Sequence, residues 1–172
     1  MRFRHLERGG PYVRVVDPDW VRPLDGRHAA RHGGRWNPPG SFPVVYLCRE
    51  TSVARAIVLR RFEGLPYSPL DLRPDRRPTL VETEVAADRF VDTITDAGCR
   101  ATSLPDTYPL DARGREVGWD RCQPIGRTAW DQGERGIACR SAAGPGEELA
   151  WFQRGRAGLR VRRRRGFDDW FA

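Results

Sequence analysis

Lysine is absent from this chain of 172 residues: all 30 basic side chains are arginine, against 23 acidic ones, so the formal net charge is +7. A codon bias of the source would produce such a replacement, yet arginine is also the better planar fork for phosphates and carboxylates. A basic surface favours an anionic partner, which is a nucleotide, a nucleic acid or an acidic protein face. Composition alone does not choose among the three.

Cysteine pairs and long apolar runs are missing as well. The four cysteines never form a C-x-x-C pair, and the opening residues MRFRHLERGG lack the apolar segment of a signal peptide. We therefore expect reduced thiols and a cytoplasmic protein. No apolar run approaches the roughly 20 residues that a membrane span requires, so no membrane association is expected. The length suits one domain with a core of its own.

Runs of β-branched and aromatic residues alternate with breaks rich in glycine and proline, which predicts a mixed order of strands and helices. Strands are expected at 13–16, 44–48, 80–85, 90–94, 136–141 and 149–153, and helices at 51–62, 96–101 and 122–132. The polar segment 25–32 is expected to be a loop, and the arginine-rich segment 156–165 either frays or folds back as an edge strand. This irregular order favours an α+β domain over a doubly wound sheet.

The segment 33–47, GGRWNPPGSFPVVYL, carries the most informative pattern of the chain. A rigid turn bearing Arg35 leads directly into a short apolar strand bearing Tyr46. The glycines of such a turn allow the backbone to approach a ligand closely, although they also serve ordinary tight turns. A cation and an aromatic ring are thus expected side by side, and the sequence predicts a pocket here.

Several further motifs follow one another along the chain. They are YVRV from Tyr12, then GGRWNPPG leading into VVYL, and later GIACRSA and GEELAWF, ending at Phe152. Together they resemble the RES domain, a family named for an arginine, a glutamate and a serine. The resemblance covers nearly the whole chain, and its GGRWN-to-YL block is fairly specific.

The resemblance implies a compact α+β fold related to the ADP-ribosyltransferases, with a central mixed β-sheet flanked by short helices. It also implies NAD as the substrate, consumed by phosphorolysis or hydrolysis of the nicotinamide–ribosyl bond or by transfer of ADP-ribose, with no further cofactor and no metal. RES proteins are typically toxins of bacterial toxin–antitoxin pairs. An antitoxin protein and inorganic phosphate are therefore candidate partners.

Four residues match functional positions of the family: Arg14, Arg35, Tyr46 and Ser141. Guanidinium groups bind a diphosphate in a bidentate way, an aromatic face stacks on the cationic nicotinamide ring, and a serine orients the ring or the ribose. Bond cleavage passes through an oxocarbenium-like state that the enzyme must stabilise. Each residue also has an ordinary explanation, such as an ion pair for Arg14, core packing for Tyr46 or a strand-ending bond for Ser141.

The helix after the tyrosine strand departs from the family pattern. The catalytic glutamate is expected one or two turns into this helix, and counting along Ser52–Val58 places Ile57 there. An isoleucine neither binds a ribose hydroxyl nor stabilises a cation. Either a carboxylate comes from elsewhere in the chain, or none is used.

Other residues are candidates for the missing charge. Glu50 and Glu63, at the two ends of the helix, are badly phased. Glu147 and Glu148 precede the last strand of the core, in the region from which ADP-ribosyltransferases supply their glutamate, and Glu148 is preferred as the catalytic carboxylate. Alternatively, phosphate acting as nucleophile would partly stabilise the cation by its own charge, held by an arginine such as Arg55.

Two other functions stay open at this stage. The pocket would bind NAD or a related nucleotide without turnover because of Ile57, or a basic tail with Trp170 and Phe171 would bind nucleic acid by charge and stacking. Nucleic acid is the less expected partner, since a solvated terminus is the commoner outcome.

Residues 1–155 are assigned to the RES-like domain and 156–172 to an arginine-rich extension. His28 and His32 stand four apart, as two ligands on one helix face would, but no third ligand accompanies them and no metal is expected.

Overall fold

The computed structural model describes residues 1–155 and 158–172. Its strands are β1 (His5–Val16), β2 (Val44–Cys48), β3 (Thr79–Thr93), β4 (Gly136–Arg140), β5 (Glu147–Phe152) and β6 (Val161–Arg165). Its α-helices are α1 (Arg27–His32), α2 (Thr51–Arg61), α3 (Asp96–Ala101) and α4 (Trp119–Asp131). Short 3₁₀ turns occupy Pro69–Asp71, Pro74–Arg76 and Phe167–Asp169.

The strands form one sheet in the order β1-β2-β5-β4-β3-β6, and β1 pairs with β3 as well. Strands β1 to β5 therefore close into a ring, with β6 added on β3. The pairing of β1 with β3 is antiparallel and extensive, from His5 opposite Val91 to Val16 opposite Thr79. Only β3 and β4 run parallel among the described strands, so the sheet is mixed.

The ring encloses a core of its own. Each of its five strands contributes to this core, for example through Tyr12, Val45, Val81, Ala138 and Leu149, and none of the described helices does. Successive residues of a strand point to opposite faces, so the alternate residues of the same strands are free to face outward. The outward residues of β2, β4 and β5 form the surface on which the candidate site is built.

Helices cover two parts of the outer surface. Helix α4 buries Cys122, Ile125 and Ala129, which are three and four residues apart and so share one face, against Trp36 and neighbouring side chains. Helix α2 buries Val53, Ala54 and Val58. Full burial of one valine contributes roughly 1.5–3 kcal/mol, so these contacts fix each helix on the sheet.

Helix α2 also rests on three aromatic residues from the last part of the chain, Phe167, Trp170 and Phe171, here called the aromatic cluster. The rings of Phe167 and Phe171 stack with centroids 4.3 Å apart. Strand β6 precedes them and pairs antiparallel with β3. Of the two alternatives for the basic tail, folding back as a strand is the one observed, although Arg156 and Ala157 lie outside the described residues. The division into residues 1–155 and an extension from 156 to 172 stays a prediction.

The predicted α+β class is confirmed, and so are most elements. Strand β2 and helix α3 have their predicted bounds, and α2 ends one residue earlier than expected. The strands predicted at 80–85 and 90–94 are one strand, β3, because residues 88 and 89 between them keep their backbone pairing with β1. The predicted loop at 25–32 contains α1, and β1 begins at His5 instead of residue 13. No helix among the described residues is long and apolar enough to cross a membrane.

Candidate active site

A cleft of about 710 Å³ lies on the outer face of the sheet, between helix α2 and the turn formed by residues 33–37, here called the glycine turn. Its wall includes the predicted residues Arg14, Arg35, Tyr46 and Glu148. It also includes Ile57, the residue at the expected glutamate position. The structure thus brings together four of the five predicted site residues, and the fifth, Ser141, lies directly behind the wall.

The glycine turn is held by hydrogen bonds from buried groups. The Tyr46 hydroxyl accepts a bond from the Trp36 N–H at 2.9 Å and donates to Asn37 Oδ1 at 2.7 Å. The Asn37 amide donates in turn to the Ala29 carbonyl at 2.7 Å. Burial raises the pKa of Tyr46, so the phenol stays protonated at neutral pH. The Tyr46 hydroxyl is therefore occupied in fixing the turn, while its ring lines the cleft.

Two glycines allow this tight arrangement. A Cβ at Gly34 would lie 2.5 Å from the Tyr46 Oη, and a Cβ at Gly126 would lie 1.7 Å from the Trp36 carbonyl oxygen. Gly34 therefore lets the turn lie flat on the tyrosine ring, and Gly126 lets helix α4 lie directly against the turn. The backbone that carries Arg35 has little room to move.

Arg35 and Arg60 are joined by one carboxylate. Arg35 donates to the Val117 carbonyl at 3.0 Å and forms an ion pair with Glu116. The other oxygen of Glu116 pairs with Arg60 of helix α2. Glu116 thus connects the glycine turn to the helix across the cleft. No sequence pattern pointed to Glu116, because it lies in an irregular segment.

Arg14 is a buried cation near the end of β1. Its side chain is only 8% exposed, its Nη1 donates to the Pro23 carbonyl at 2.8 Å, and its guanidinium carbon lies 5.5 Å from the centre of the Trp20 ring. Arg14 forms no ion pair with any described residue. Burial lowers the pKa of Arg14 to about 10. A decrease of this size means that folding disfavours the charged form by roughly 3 kcal/mol, although Arg14 remains charged at neutral pH.

Glu148 is the predicted catalytic carboxylate, and it lines the cleft. On β5 it lies opposite Cys48 of β2 and Cys139 of β4, and cross-strand neighbours project from the same face of a sheet. Burial raises the pKa of Glu148, and the Ser141 hydroxyl, Arg35 and the Ala142 amide partly counteract this effect. The carboxyl group is thus desolvated but close to groups that favour its charged form.

The neighbouring glutamate belongs to another surface. Strand alternation turns Glu147 away from the cleft, where its two oxygens accept bonds from Arg8 at 2.9 and 3.1 Å. Glu50 lies on the same surface as Glu147, and Glu63 lines a separate depression beyond helix α2. Among the four carboxylates weighed from the sequence, Glu148 alone lines the cleft.

Ser141 ends strand β4 and is 4% exposed. Its Oγ accepts a bond from the Ala143 N–H at 3.1 Å, and its own N–H donates to the Gly146 carbonyl at 2.9 Å. These bonds shape the turn whose Ala142 and Ala143 form part of the cleft wall. The strand-ending bond considered from the sequence is present, and the hydroxyl also lies beside Glu148.

Helix α2 supplies two basic residues that the sequence analysis missed. Arg60 and Arg61 line the cleft with Ile57, whereas Arg55, named as a holder of phosphate, lies with its guanidinium carbon 5.3 Å from the centre of the Phe171 ring. The expectation for Arg55 is therefore wrong, because its side chain covers the aromatic cluster. The helical spacing could have predicted Arg60 and Arg61, because residues three and four positions after Ile57 share its helix face.

The two histidine rings of α1 lie against each other in a tilted arrangement, with centroids 4.5 Å apart and an angle of 39° between the ring planes. His28 also contacts Trp20, with 5.0 Å between the ring centroids, and His28 and Trp20 line the cleft. Within residues 1–155 and 158–172, no group of three or more histidine, cysteine or acidic side chains has the arrangement of a metal site.

Known proteins match this chain in sequence and in structure. The RES domain model matches residues 11–170. The chain belongs to the RES family. It is 30% identical over 138 residues to the NAD(+) phosphorylase MbcT of Mycobacterium tuberculosis and of Mycobacterium bovis, an alignment that covers 78% of this chain and 70% of the relative. In the crystal structure of the M. tuberculosis MbcT–MbcA toxin–antitoxin complex, a matching chain gives a TM-score of 0.73 at 27% identity, covering 93% of this chain and 85% of that one.

The resemblance found in the sequence predicted an arginine, a serine and, at position 57, an absent glutamate around one pocket. Arg14, Arg35 and Ile57 line the cleft, as do Ala142 and Ala143, which directly follow Ser141. The position inferred by counting along the helix is therefore a cleft position. That the family's glutamate is replaced there stays a prediction.

Proposed function

We propose that this RES protein consumes NAD by cleaving the nicotinamide–ribosyl bond, with inorganic phosphate as the preferred acceptor. The observation that carries the proposal is the placement of the Glu148 carboxylate in one cleft with Arg14, Arg35 and the Tyr46 ring. The relationship to the NAD(+) phosphorylase MbcT supports the choice of substrate and acceptor.

The diphosphate of NAD would bind between the glycine turn and helix α2. Arg35 and Arg60 approach each other closely enough to share one carboxylate, that of Glu116. Two planar guanidinium groups at this separation suit the adjacent phosphates of a dinucleotide. Trp20 and Trp119 line the same cleft and offer aromatic faces to the flat rings of the substrate.

The scissile bond joins the ribose to a positively charged nicotinamide. When it breaks, its electron pair passes to the ring nitrogen and nicotinamide leaves as a neutral molecule, so no proton has to be delivered. The remaining task is to stabilise positive charge on the sugar. A carboxylate in a water-poor cleft does this well, and we assign the task to Glu148 in place of the absent helix glutamate.

Tyr46 and Ser141 would act as positioning residues. The Tyr46 hydroxyl fixes the turn that carries Arg35, and the Ser141 hydroxyl fixes the turn beside Glu148. NAD is the substrate in this proposal, and no separate cofactor is assigned. The reaction is placed in the cytoplasm, where NAD is abundant and the four buried thiols remain reduced.

The experiment that tests the function measures nicotinamide release from NAD by the purified protein, with and without phosphate, and identifies the sugar product. Release that increases with phosphate and yields a sugar phosphate is expected. Glu148→Gln should abolish most of it, whereas the matched change Glu147→Gln, outside the cleft, should not. If wild-type protein releases no nicotinamide, the proposal fails.

An alternative function is nucleotide binding without turnover. The presence of Ile57 in the cleft wall favours it, because a RES enzyme would have a carboxylate there. Under this alternative NAD binds with an affinity that depends on Arg35, but nicotinamide release stays at the uncatalysed level.

We also propose that the protein is the toxin of a toxin–antitoxin pair, by analogy with the structurally similar complex. A depression next to the cleft shares Arg60 and Glu116 with it and exposes Leu59, Leu65, Tyr67 and Leu110, each 44–48% accessible. Exposed apolar side chains grouped in this way mark protein-binding surfaces. A partner bound there would also cover the cleft.

Growth of a host cell provides the test of a toxin role. Expression of the wild-type chain and of Glu147→Gln should arrest growth, and expression of Glu148→Gln should not. Co-expression of the cognate antitoxin should restore growth, and Leu65→Asp in the toxin should weaken that protection. Arrest by Glu148→Gln equal to that of wild type would contradict an enzymatic toxin.

A further inference from the structure

The arginines of the cleft fall into two groups with different neighbours. Arg35 and Arg60 share the carboxylate of Glu116. Arg14 and Arg61 line the same cleft, and neither forms an ion pair with a described residue. The first group carries a counterion of the protein's own, and the second does not.

Arg14 is the more informative member of the second group. It is more than nine-tenths buried, and one of its N–H groups donates to the Pro23 carbonyl at 2.8 Å. A guanidinium has five N–H donors in a planar fork, so donors remain for a ligand in the cleft. The nearby carboxylate of Asp25 is bound to Arg27. A buried cation without a counterion is costly, and an anion from solution would remove that cost.

Arg61 reaches the same end of the cleft from helix α2. Its charge lowers the pKa of Arg14, which places the two cations within range of mutual repulsion. Arg61 is exposed, so its side chain is free to follow a ligand. Asp17, an acidic residue that also lines the cleft, is exposed and thus largely screened by solvent.

Phosphorolysis requires two anionic groups in the cleft at once, the diphosphate of the dinucleotide and the attacking phosphate. We infer that Arg14 and Arg61 form the site for inorganic phosphate, while Arg35 and Arg60 hold the diphosphate. This inference rests on the proposed function and names the acceptor site within it. Hydrolysis or transfer to a protein would need no second anion site.

The reaction then balances without another reactant. An oxygen of hydrogen phosphate forms a bond to the ribose C1 as the bond from C1 to the nicotinamide nitrogen breaks. The electron pair of the broken bond stays on nitrogen, and neutral nicotinamide leaves. The products are nicotinamide and ADP-ribose that carries phosphate on the freed anomeric carbon.

The test measures initial rates while phosphate and NAD are varied in turn. Arg61→Gln should raise the KM for phosphate at least about tenfold, the effect of losing one charge-assisted hydrogen bond, and leave the KM for NAD within about twofold. Arg55→Gln is the matched control, since it removes the same charge from the same helix but lies outside the cleft. Its KM for phosphate should equal that of wild type.

A second measurement does not depend on turnover. Inorganic phosphate alone should raise the melting temperature of wild type and of Arg55→Gln, but much less that of Arg61→Gln or Arg14→Lys. Arg14→Lys keeps the buried charge and loses the planar fork, which limits damage to folding. Sulfate at equal ionic strength separates binding at this site from a general salt effect.

The outcomes separate the two proposals. If NAD is cleaved but neither variant changes the KM for phosphate or the phosphate-induced shift, the inferred site is wrong and the proposed function stands. If phosphate binding depends on both arginines but wild type cleaves no NAD, the anion site stands and the proposed function fails. A rise in the KM for NAD alone in Arg61→Gln would overturn the division into two sites.

Discussion

One wall of the cleft is a backbone turn and the other is a helix face, and they are held in different ways. The glycine turn, residues 33–37, is fixed by bonds from buried groups, and Trp36 and Asn37 within it are inaccessible to solvent. On helix α2, Ile57 is half-buried and the arginines that follow it are exposed. A substitution in the turn disturbs packing, whereas one on the helix changes the surface of the cleft. Replacement of a glutamate by isoleucine at position 57, as the resemblance to the family predicts, would therefore leave the fold and the glycine turn unchanged.

The largest effect is expected at Glu148, on the strand between the two walls. Glu148→Gln should lower kcat about 10²- to 10³-fold, as loss of a preorganised charge does at other active sites. Because burial raises the pKa of Glu148, the charged carboxylate destabilises the fold as the pH increases above the ordinary pKa of glutamate. The variant should therefore be at least as stable as wild type at pH 7, which thermal unfolding will show.

The same pKa direction predicts a pH profile. Activity of wild type should fall on the acidic side at a higher pH than an ordinary carboxyl would produce, because Glu148 gains its proton earlier. Glu147→Gln, which breaks the partly exposed pair with Arg8, should keep this profile and lose at most about 1 kcal/mol of stability. If the activity of Glu148→Gln decreases at acidic pH over the same range as that of wild type, another group causes the decrease and Glu148 has no catalytic role.

The wall formed by the glycine turn is tested by Tyr46→Phe. This change leaves the Trp36 N–H without its acceptor and Asn37 without a donor, which should cost roughly 1–3 kcal/mol in the free energy of unfolding by urea. Activity should fall as well, because the turn positions Arg35. Tyr67→Phe, at a half-exposed ring, is the control and should change neither quantity. A fully stable and active Tyr46→Phe protein would show that the turn is not held as described.

The helix wall of the cleft is tested by moving the negative charge from position 148 to position 57. In the Glu148→Gln background, Ile57→Glu should restore activity about tenfold, because a carboxylate on the helix then faces the same space. Ile57→Gln in that background is the isosteric control without charge. If glutamate and glutamine at this position behave alike, the helix face does not reach the reacting atoms.

The smallest effect is expected for the contact that joins the walls. Glu116→Gln frees Arg35 and Arg60 from a carboxylate that competes with the diphosphate, so the KM for NAD should fall about threefold with little change in kcat. Asp111→Asn, which affects a nearby exposed pair with Arg115, should leave the KM unchanged. A higher KM in Glu116→Gln would mean that Glu116 positions the arginines and does not compete.

Local pattern was sufficient for much of this fold. Strand β2 and helices α2 and α3 were predicted almost to the residue, because apolar periodicity and turn residues mark their ends. Continuity of β3 depends on its pairing with β1, a contact between distant parts of the chain that no short window contains. The pairing of β6 likewise comes mainly from backbone bonds, since the side chains of Arg162, Arg163 and Arg164 are exposed.

The candidate site divides in the same way. Arg14, Arg35, Tyr46 and Glu148 came from motifs, and the structure places all of them around one cleft. The choice between Glu147 and Glu148 required the strand register, which a sequence leaves one residue uncertain. The helical spacing from Ile57 could have predicted Arg60 and Arg61, but they were missed.

The aromatic cluster beneath helix α2 links the far end of the sequence to the chemistry. Phe167, Trp170 and Phe171 pack with Val53 and Val58 of this helix, and Ile57, which also lines the cleft, borders the same cluster. Removal of the last few residues, or fusion of a tag directly after Phe171, would therefore disturb the packing of helix α2 and shift Ile57 and Arg61 within the cleft. Any recombinant version of this protein should leave that support intact before its catalytic power is judged.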